Sequence, residues 1–534
     1  MTRRIFGRAR GDAPGALSPL PLGGADAAIC LVLAACVFAY LRQWPHDLYG
    51  FDEGLFLYEA KRVADGEVMY RDFFEILTPA SFYWMAAMYR LFGVSMETAR
   101  TSMAVLHVLV TVLVYLCCRL VTRFRSISAA AAVAHVGIGY PALSMASAHW
   151  CTTFLSMALT LLLLCWDVID SRRAFVVGLL AALIVLTQHQ KGVYMVIGGG
   201  GILMIEPAFA RRSGAPPRIG SWRRLACYAA GVLMLVVPVM AAFVSLAGWD
   251  LVFDALIRTP LVNYRRINQQ VPWGFYLPGF SVMPHLIRFL PLLSLVGAAR
   301  LVRCWQTRAD PEAYRPLLIL TVLSAFAVLS VYYYPDHTHL VMAAPIWFVL
   351  AAEAIDALLR WFAWPGWLAA GAAGTLALAF LVALGVAMYG NLTLRRAGYP
   401  VSYETAFGRV DFVSQDEPRL LEALEPLLRE SGTREIFAFP CFASLYLHTQ
   451  TSNPTRFQIL IPSYSDPKHV REAMTMLELR QVPYVVRNLY WHTNELEPLV
   501  SYLNEHYEPI VRIGPEGRRV PVFVILRRKD LAKG

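Results

Sequence analysis

Phe51-Asp52-Glu53-Gly54, Tyr70-Arg71-Asp72-Phe73-Phe74-Glu75 and Thr78-Pro79, closed by Phe82-Tyr83-Trp84, belong to an acid-rich stretch set between two apolar runs, residues 27–43 and 99–118. Each run is close to the length of about 17 to 25 residues that a helix needs to cross a ~30 Å hydrocarbon layer. Nine further runs follow, at 127–143, 149–166, 174–189, 192–207, 225–247, 283–299, 316–334, 339–358 and 364–389. The sequence therefore predicts eleven transmembrane helices, with the acid-rich stretch as the first loop, residues 44–98.

Composition agrees. Of 534 residues, 57% are hydrophobic and 16% charged, against about 25% charged in soluble proteins, which excludes a single soluble globule. The net charge of +10 comes largely from arginines placed singly or in pairs between apolar runs. That pattern is one of membrane topology rather than nucleic-acid binding. With a cytoplasmic N-terminus, nineteen arginines fall on the inner side and eight basic residues in the longer outer loops. The positive-inside rule then puts the first loop outside and, after an odd number of spans, the C-terminus outside too. Arg3, Arg4, Arg8 and Arg10 ahead of Leu33-Ala34-Ala35-Cys36 imitate a cleaved leader, but the charge pattern works only if this run is retained. Nine cysteines, mostly inside apolar runs and without a CxxC pair, offer no disulfide framework or metal site.

Long loops usually carry function, and two outer loops, 44–98 and 248–282, exceed what a connection needs. In the first, Phe56, Leu57, Ala60, Val63 and Ala64 share a face of a helix starting at Asp52, and Thr78 is expected to cap a second helix begun by Pro79. Both are expected to lie along the membrane surface. After about residue 395 the apolar runs give way to strand-like and helix-like pieces, 435–439, 466–481, 483–486, 495–507 and 520–526. This divides the chain into a membrane part, 1–394, and an extracytoplasmic α/β domain, 395–534. There is no internal repeat and no glycine-rich phosphate cradle.

Ion-coupled carriers place ionisable groups at mid-membrane. Here Asp167, Glu206 and Glu353 fall at inner span ends, and the acids gather in the first loop as Asp52, Glu53, Glu59, Asp65, Glu67, Asp72 and Glu75. Asp52 and Glu53 suit either a helix start or general-base work, with Glu75 as a second acid. Lys191, at a junction of two spans, suits either snorkelling or binding a phosphate at the outer interface. His337 and His339, beside Asp336, are a weak metal pattern at another outer rim. Tyr264 and Arg265, with Arg258 and Arg266, suit an anionic lipid headgroup. His107, His135 and His149 are given no role.

The first loop, with its Asp-Glu pair at 52 and 53, the later Glu75 and Phe82-Tyr83-Trp84, together with the Lys191-Gly192 junction, resembles the GT-C membrane glycosyltransferases. The likeness is to the bacterial branch similar to protein O-mannosyltransferases and the lipid A aminoarabinose transferase. The resemblance implies inverting transfer of a sugar from a polyprenyl-phosphate donor to an envelope lipid, glycan or protein, on the outer face of the bacterial inner membrane. It matches Asp52 to the family's catalytic aspartate and Glu75 to its second acid, with Glu53 adjacent. Where the aminoarabinose transferases carry two basic residues, this chain has Leu55 and Ile76. Phosphate binding then falls to Arg71 with Asp72, Lys191, His337 and His339. No cofactor is required by these residues, and a divalent cation is left open. The alternatives are a lipid-linked sugar carrier and a non-catalytic membrane scaffold.

Overall fold

The computed structural model describes residues 22–48, 50–139, 143–214, 221–264, 273–274, 283–462, 464–490, 496–515 and 521–530. Among the described residues, seven helices are long and apolar enough to cross a membrane: Gly24–Leu41, Met96–Val121, Ala148–Cys165, His189–Arg212, Trp222–Ala247, Pro311–Val331 and Gly366–Gly398. The pair His337–Ala343 and Pro345–Trp361, bent by 59°, makes an eighth. The break falls where Pro345 removes a backbone donor.

The remaining three expected spans are helices of 14, 17 and 15 residues, Arg125–Ile138, Ser171–Thr187 and Leu292–Gln306. All three are shorter than the shortest of the seven, which have 18 residues, so by length alone up to eight spans are found among the described residues. Their neighbours explain how short helices are accommodated. Gly178 of Ser171–Thr187 lies against the Tyr228 carbonyl, and Gly231 of the facing helix against the Phe175 carbonyl, so the two backbones approach as closely as glycine allows.

One end of the bundle is tied by buried ion pairs. Asp26 accepts from Arg119 at 2.8 Å and Arg125 at 3.0 Å, Glu206 from Arg315 at 2.7 Å, and Asp356 from Arg123 at 3.2 Å. Many of the arginines read from sequence as topology signals are thus also partners for acids that would otherwise be buried unpaired. The opposite end carries the first loop and the tail.

The tail begins at β1 (Val401–Thr405), just after the last long helix. β1 pairs antiparallel with β2 (Gly408–Phe412). A second sheet has the order β3-β4-β6-β5, with β3 (Phe437–Phe439) parallel to β4 (Tyr484–Asn488). β6 (Phe523–Arg528) runs antiparallel to β4 and to β5 (Tyr507–Ile513). The helix Asp416–Ser431 packs against β5 and β6, and Pro467–Leu479 packs against the helix Leu499–His506.

The first loop differs from an amphipathic surface element. The helix Gly50–Ala64 is enclosed on both sides, with Phe56, Leu57, Tyr58, Glu59 and Ala60 all buried. The tail supplies the second cover: Tyr446 stacks on Tyr58 with centroids 4.6 Å apart, and the Asn453 N–H donates to the Tyr58 hydroxyl at 2.9 Å. Thr78 does not cap the helix Ala80–Phe92, whose N-cap is Pro79. Its hydroxyl instead donates to the Val185 carbonyl at 2.7 Å and accepts from the His189 N–H at 3.1 Å, pinning the loop to the junction that bears Lys191.

Candidate active site

Asp52 lies in the first turn of Gly50–Ala64. Its carboxylate is accessible to solvent but ringed by protein, so it faces a recess. Burial pushes its pKa up to about 6, with His339 pulling down and Asp336 and Glu75 pushing further up. These neighbours come from separate parts of the chain. Glu75 is on the return of the first loop, its Oε1 accepting from the Leu77 N–H at 2.8 Å. Asp336 caps the helix His337–Ala343, accepting from the His339 N–H at 2.8 Å, and its Oδ1 is 2.6 Å from His339 Nδ1. Burial raises Asp336, but His339 beside it outweighs that and holds it below the ordinary carboxylate range.

Around this acidic group stand polar and aromatic side chains from the span ends nearest the first loop. The His339 ring lies 4.7 Å from His149, 5.7 Å from Tyr333 and 5.3 Å from Tyr334, centroid to centroid. Gln188 Nε2 is 3.5 Å from His149 Nε2. Lys191, at the start of His189–Arg212, is buried and lines a narrow cavity with Thr152, Thr153, Ser156 and Ser330. Asp336 and His149 both feel its charge. From the tail, Cys441 follows β3 and lies within electrostatic reach of Asp52. An acid, an acid–histidine pair and an ammonium group thus converge. In low-dielectric surroundings such groups act strongly on developing charge.

The other residues singled out in the sequence lie elsewhere. Glu53 is buried in an ion pair with Arg100 and accepts from the Ala146 N–H at 2.6 Å, while Arg100 also holds the Asp47 and Ser144 carbonyls. Adjacent positions on a helix point about 100° apart, so Glu53 faces the bundle where Asp52 faces the recess. Arg71 is exposed and forms a bidentate pair with Asp72 at 2.9 and 2.8 Å. Asp72 also accepts from the Val68 N–H at 2.7 Å, which closes the turn. His337 is buried beside the site. Arg258 bonds Asp466 of the tail at 2.6 Å. The Tyr264 side chain and Arg265 lie outside the described residues. No group of three acids, histidines or cysteines that could hold a metal ion occurs among the described residues.

Two participants were given no role by the sequence reading: His149 and Gln188. His149 had one usable signal, its place at the outer edge of a run. His107 and His135 sit inside their runs and stack on each other at 5.9 Å.

This architecture, an acidic loop clamped between a helix bundle and an α/β tail, is a fold shared with several solved structures. ArnT from Cupriavidus metallidurans in the apo state superposes with a TM-score of 0.56 at 14% identity, over 94% of this chain and 98% of that one. The same protein bound to undecaprenyl phosphate gives 0.55, at 14% identity over 94% and 97%. The Archaeoglobus fulgidus oligosaccharyltransferase, tethered with an acceptor peptide, gives 0.54 at 12% identity, over 93% and 75%. No family model and no curated protein sequence matches the chain.

Proposed function

We propose that the protein is an inverting glycosyltransferase of the bacterial inner membrane, moving a hexosyl or pentosyl unit from a polyprenyl-phosphate donor to an envelope acceptor on the outer face. The observation that carries this reading is the convergence of Asp52, Glu75, Asp336–His339 and Lys191 at one end of the bundle. The neighbours whose fold it shares include one solved with undecaprenyl phosphate and one with an acceptor peptide.

In the proposed reaction the acceptor oxygen attacks the anomeric carbon and its proton passes to the Asp52 carboxylate. On the opposite face the bond from carbon to phosphate oxygen breaks. The electron pair leaves with the polyprenyl phosphate, whose growing charge is met by Lys191 and His339. A base whose pKa is near the working pH is suited to this task. An apolar groove of about 740 Å³ supports a lipid substrate. It is walled by Trp84, Met88, Leu106 and Phe154, and two more of its lining residues, Cys151 and Thr187, lie close to His149 and Gln188 in the chain. Its size is that of ligand pockets in general.

The test is release of free polyprenyl phosphate from a panel of polyprenyl-phosphate sugars, by wild type and by Asp52→Asn, with a crude envelope extract as acceptor source. Turnover of one donor by wild type and a loss of about 100-fold or more in a folded Asp52→Asn is expected. Equal rates would remove Asp52 from the chemistry. No turnover, with lipid-linked sugar crossing reconstituted bilayers, would establish a carrier instead.

A further inference from the structure

Glu59 is a buried acid that the mechanism above leaves unused. It lies two turns after Asp52 on the same helix face and is 0% exposed, against 5% for Glu75. The two carboxyl groups are hydrogen-bonded to each other. Glu75 also accepts from the Leu77 N–H, and Glu59 Oε2 has no hydrogen-bond partner.

The surrounding groups leave one negative charge for the pair. Arg62, the nearest cation on the helix, is engaged with Glu67 at 2.7 Å and with the Asp72 carbonyl at 2.8 Å. From the loop, the Tyr70 hydroxyl donates to the Leu77 carbonyl at 2.8 Å. Tyr83 of the second loop helix adds no positive charge, and Arg456 of the tail bonds the Tyr70 carbonyl and Glu472. Asp52 and Tyr58, on the same helix as Glu59, are acids. Two carboxylates in contact in a dry site do not both ionise.

We propose that Glu59 is the proton-bearing partner of Glu75, a positioning residue whose carboxyl O–H donates to the Glu75 carboxylate and keeps it charged and fixed beside Asp52. Burial, then the neighbouring Glu75, holds Glu59 well above the ordinary carboxyl range, in keeping with a proton at neutral pH. The kinetic consequence rests on the transferase reading; the shared proton does not.

The experiment therefore has two arms on the full-length protein. Infrared difference spectra at neutral pH should show a protonated-carboxyl stretch in wild type that is absent from Glu59→Gln. In the donor-turnover assay, Glu59→Gln, whose amide N–H still donates, should keep its rate within about twofold and its acidic limb unmoved. Glu59→Leu removes the donor and should lose roughly ten- to a hundredfold, the scale of a hydrogen bond to a charged group. Its acidic limb should move to lower pH, because Glu75 then takes up a proton and Asp52 loses a negative neighbour. Persistence of the stretch in Glu59→Gln, or an unmoved limb in Glu59→Leu, would overturn the proposal. A wild type inactive on every donor would overturn the transferase reading, and the spectra would still decide the shared proton.

Discussion

Replacing Gly54 by alanine should separate the first loop from the tail and cost far more activity than stability. Gly54 lies two residues after Asp52 and faces the helix Ser444–Thr449. An added Cβ would stand 2.8 Å from Ser444 Cβ, 3.0 Å from its backbone N and 3.2 Å from its Cα. Carbon contacts are optimal at about 3.5–4.0 Å, so the helices must part by roughly 0.7–1.2 Å. A rotamer change at Ser444 cannot relieve this, because two of the three atoms are backbone. Tyr446 stacks on Tyr58, one turn along the same face, and holds the tail helix against the loop helix there. Overpacking of this kind costs about 1–3 kcal/mol, while alanine returns about 1 kcal/mol of helix propensity over glycine. The net loss of stability is thus about 0–2 kcal/mol. A displacement near 1 Å at a reacting group costs about 100-fold in rate, and that is the expected loss of donor turnover. Thermal melting in detergent beside the turnover assay measures both. Adding Ser444→Gly removes the shortest contact and should restore part of the rate. A Gly54→Ala protein with wild-type turnover would refute the claim that the tail is clamped on the catalytic helix.

The acidic limb of turnover should have its midpoint near pH 6, because the base must be ionised and burial raises the Asp52 pKa to about 6. At pH 5 roughly one tenth of the enzyme would carry the active carboxylate, and a limb at the ordinary carboxyl value near 4 would count against Asp52 as the base. Glu53→Leu strands the buried Arg100 and should cost about 3–5 kcal/mol of stability, read by melting. A Glu53→Leu protein as stable as wild type but inactive would move Glu53 from the scaffold into the chemistry.

How much of this could be read from the sequence depends on the range of the interaction. Apolar runs report on contact with lipid residue by residue, so every expected span is helical, and the tail pieces at 435–439, 466–481 and 483–486 contain β3, the helix Pro467–Leu479 and most of β4. Span number was less legible: an apolar run such as Arg125–Ile138 looks the same whether its neighbours or lipid enclose it. β1, β2 and β5 were not among the pieces read, although β1 alternates apolar and polar residues as a half-exposed strand does.

By itself the sequence determined an acidic loop between the first two apolar runs of a helix bundle, with Asp52, Glu75 and Lys191 as candidates, because charge near a membrane must sit where water reaches it. Only the tertiary structure decided that Asp52 and Glu53 part company, one to the recess and one to Arg100. It alone brought His339 and His149 together and set Glu59 against Glu75. Those outcomes turn on which helix face meets which neighbour, and that is settled by packing among segments tens to hundreds of residues apart, which no local pattern records.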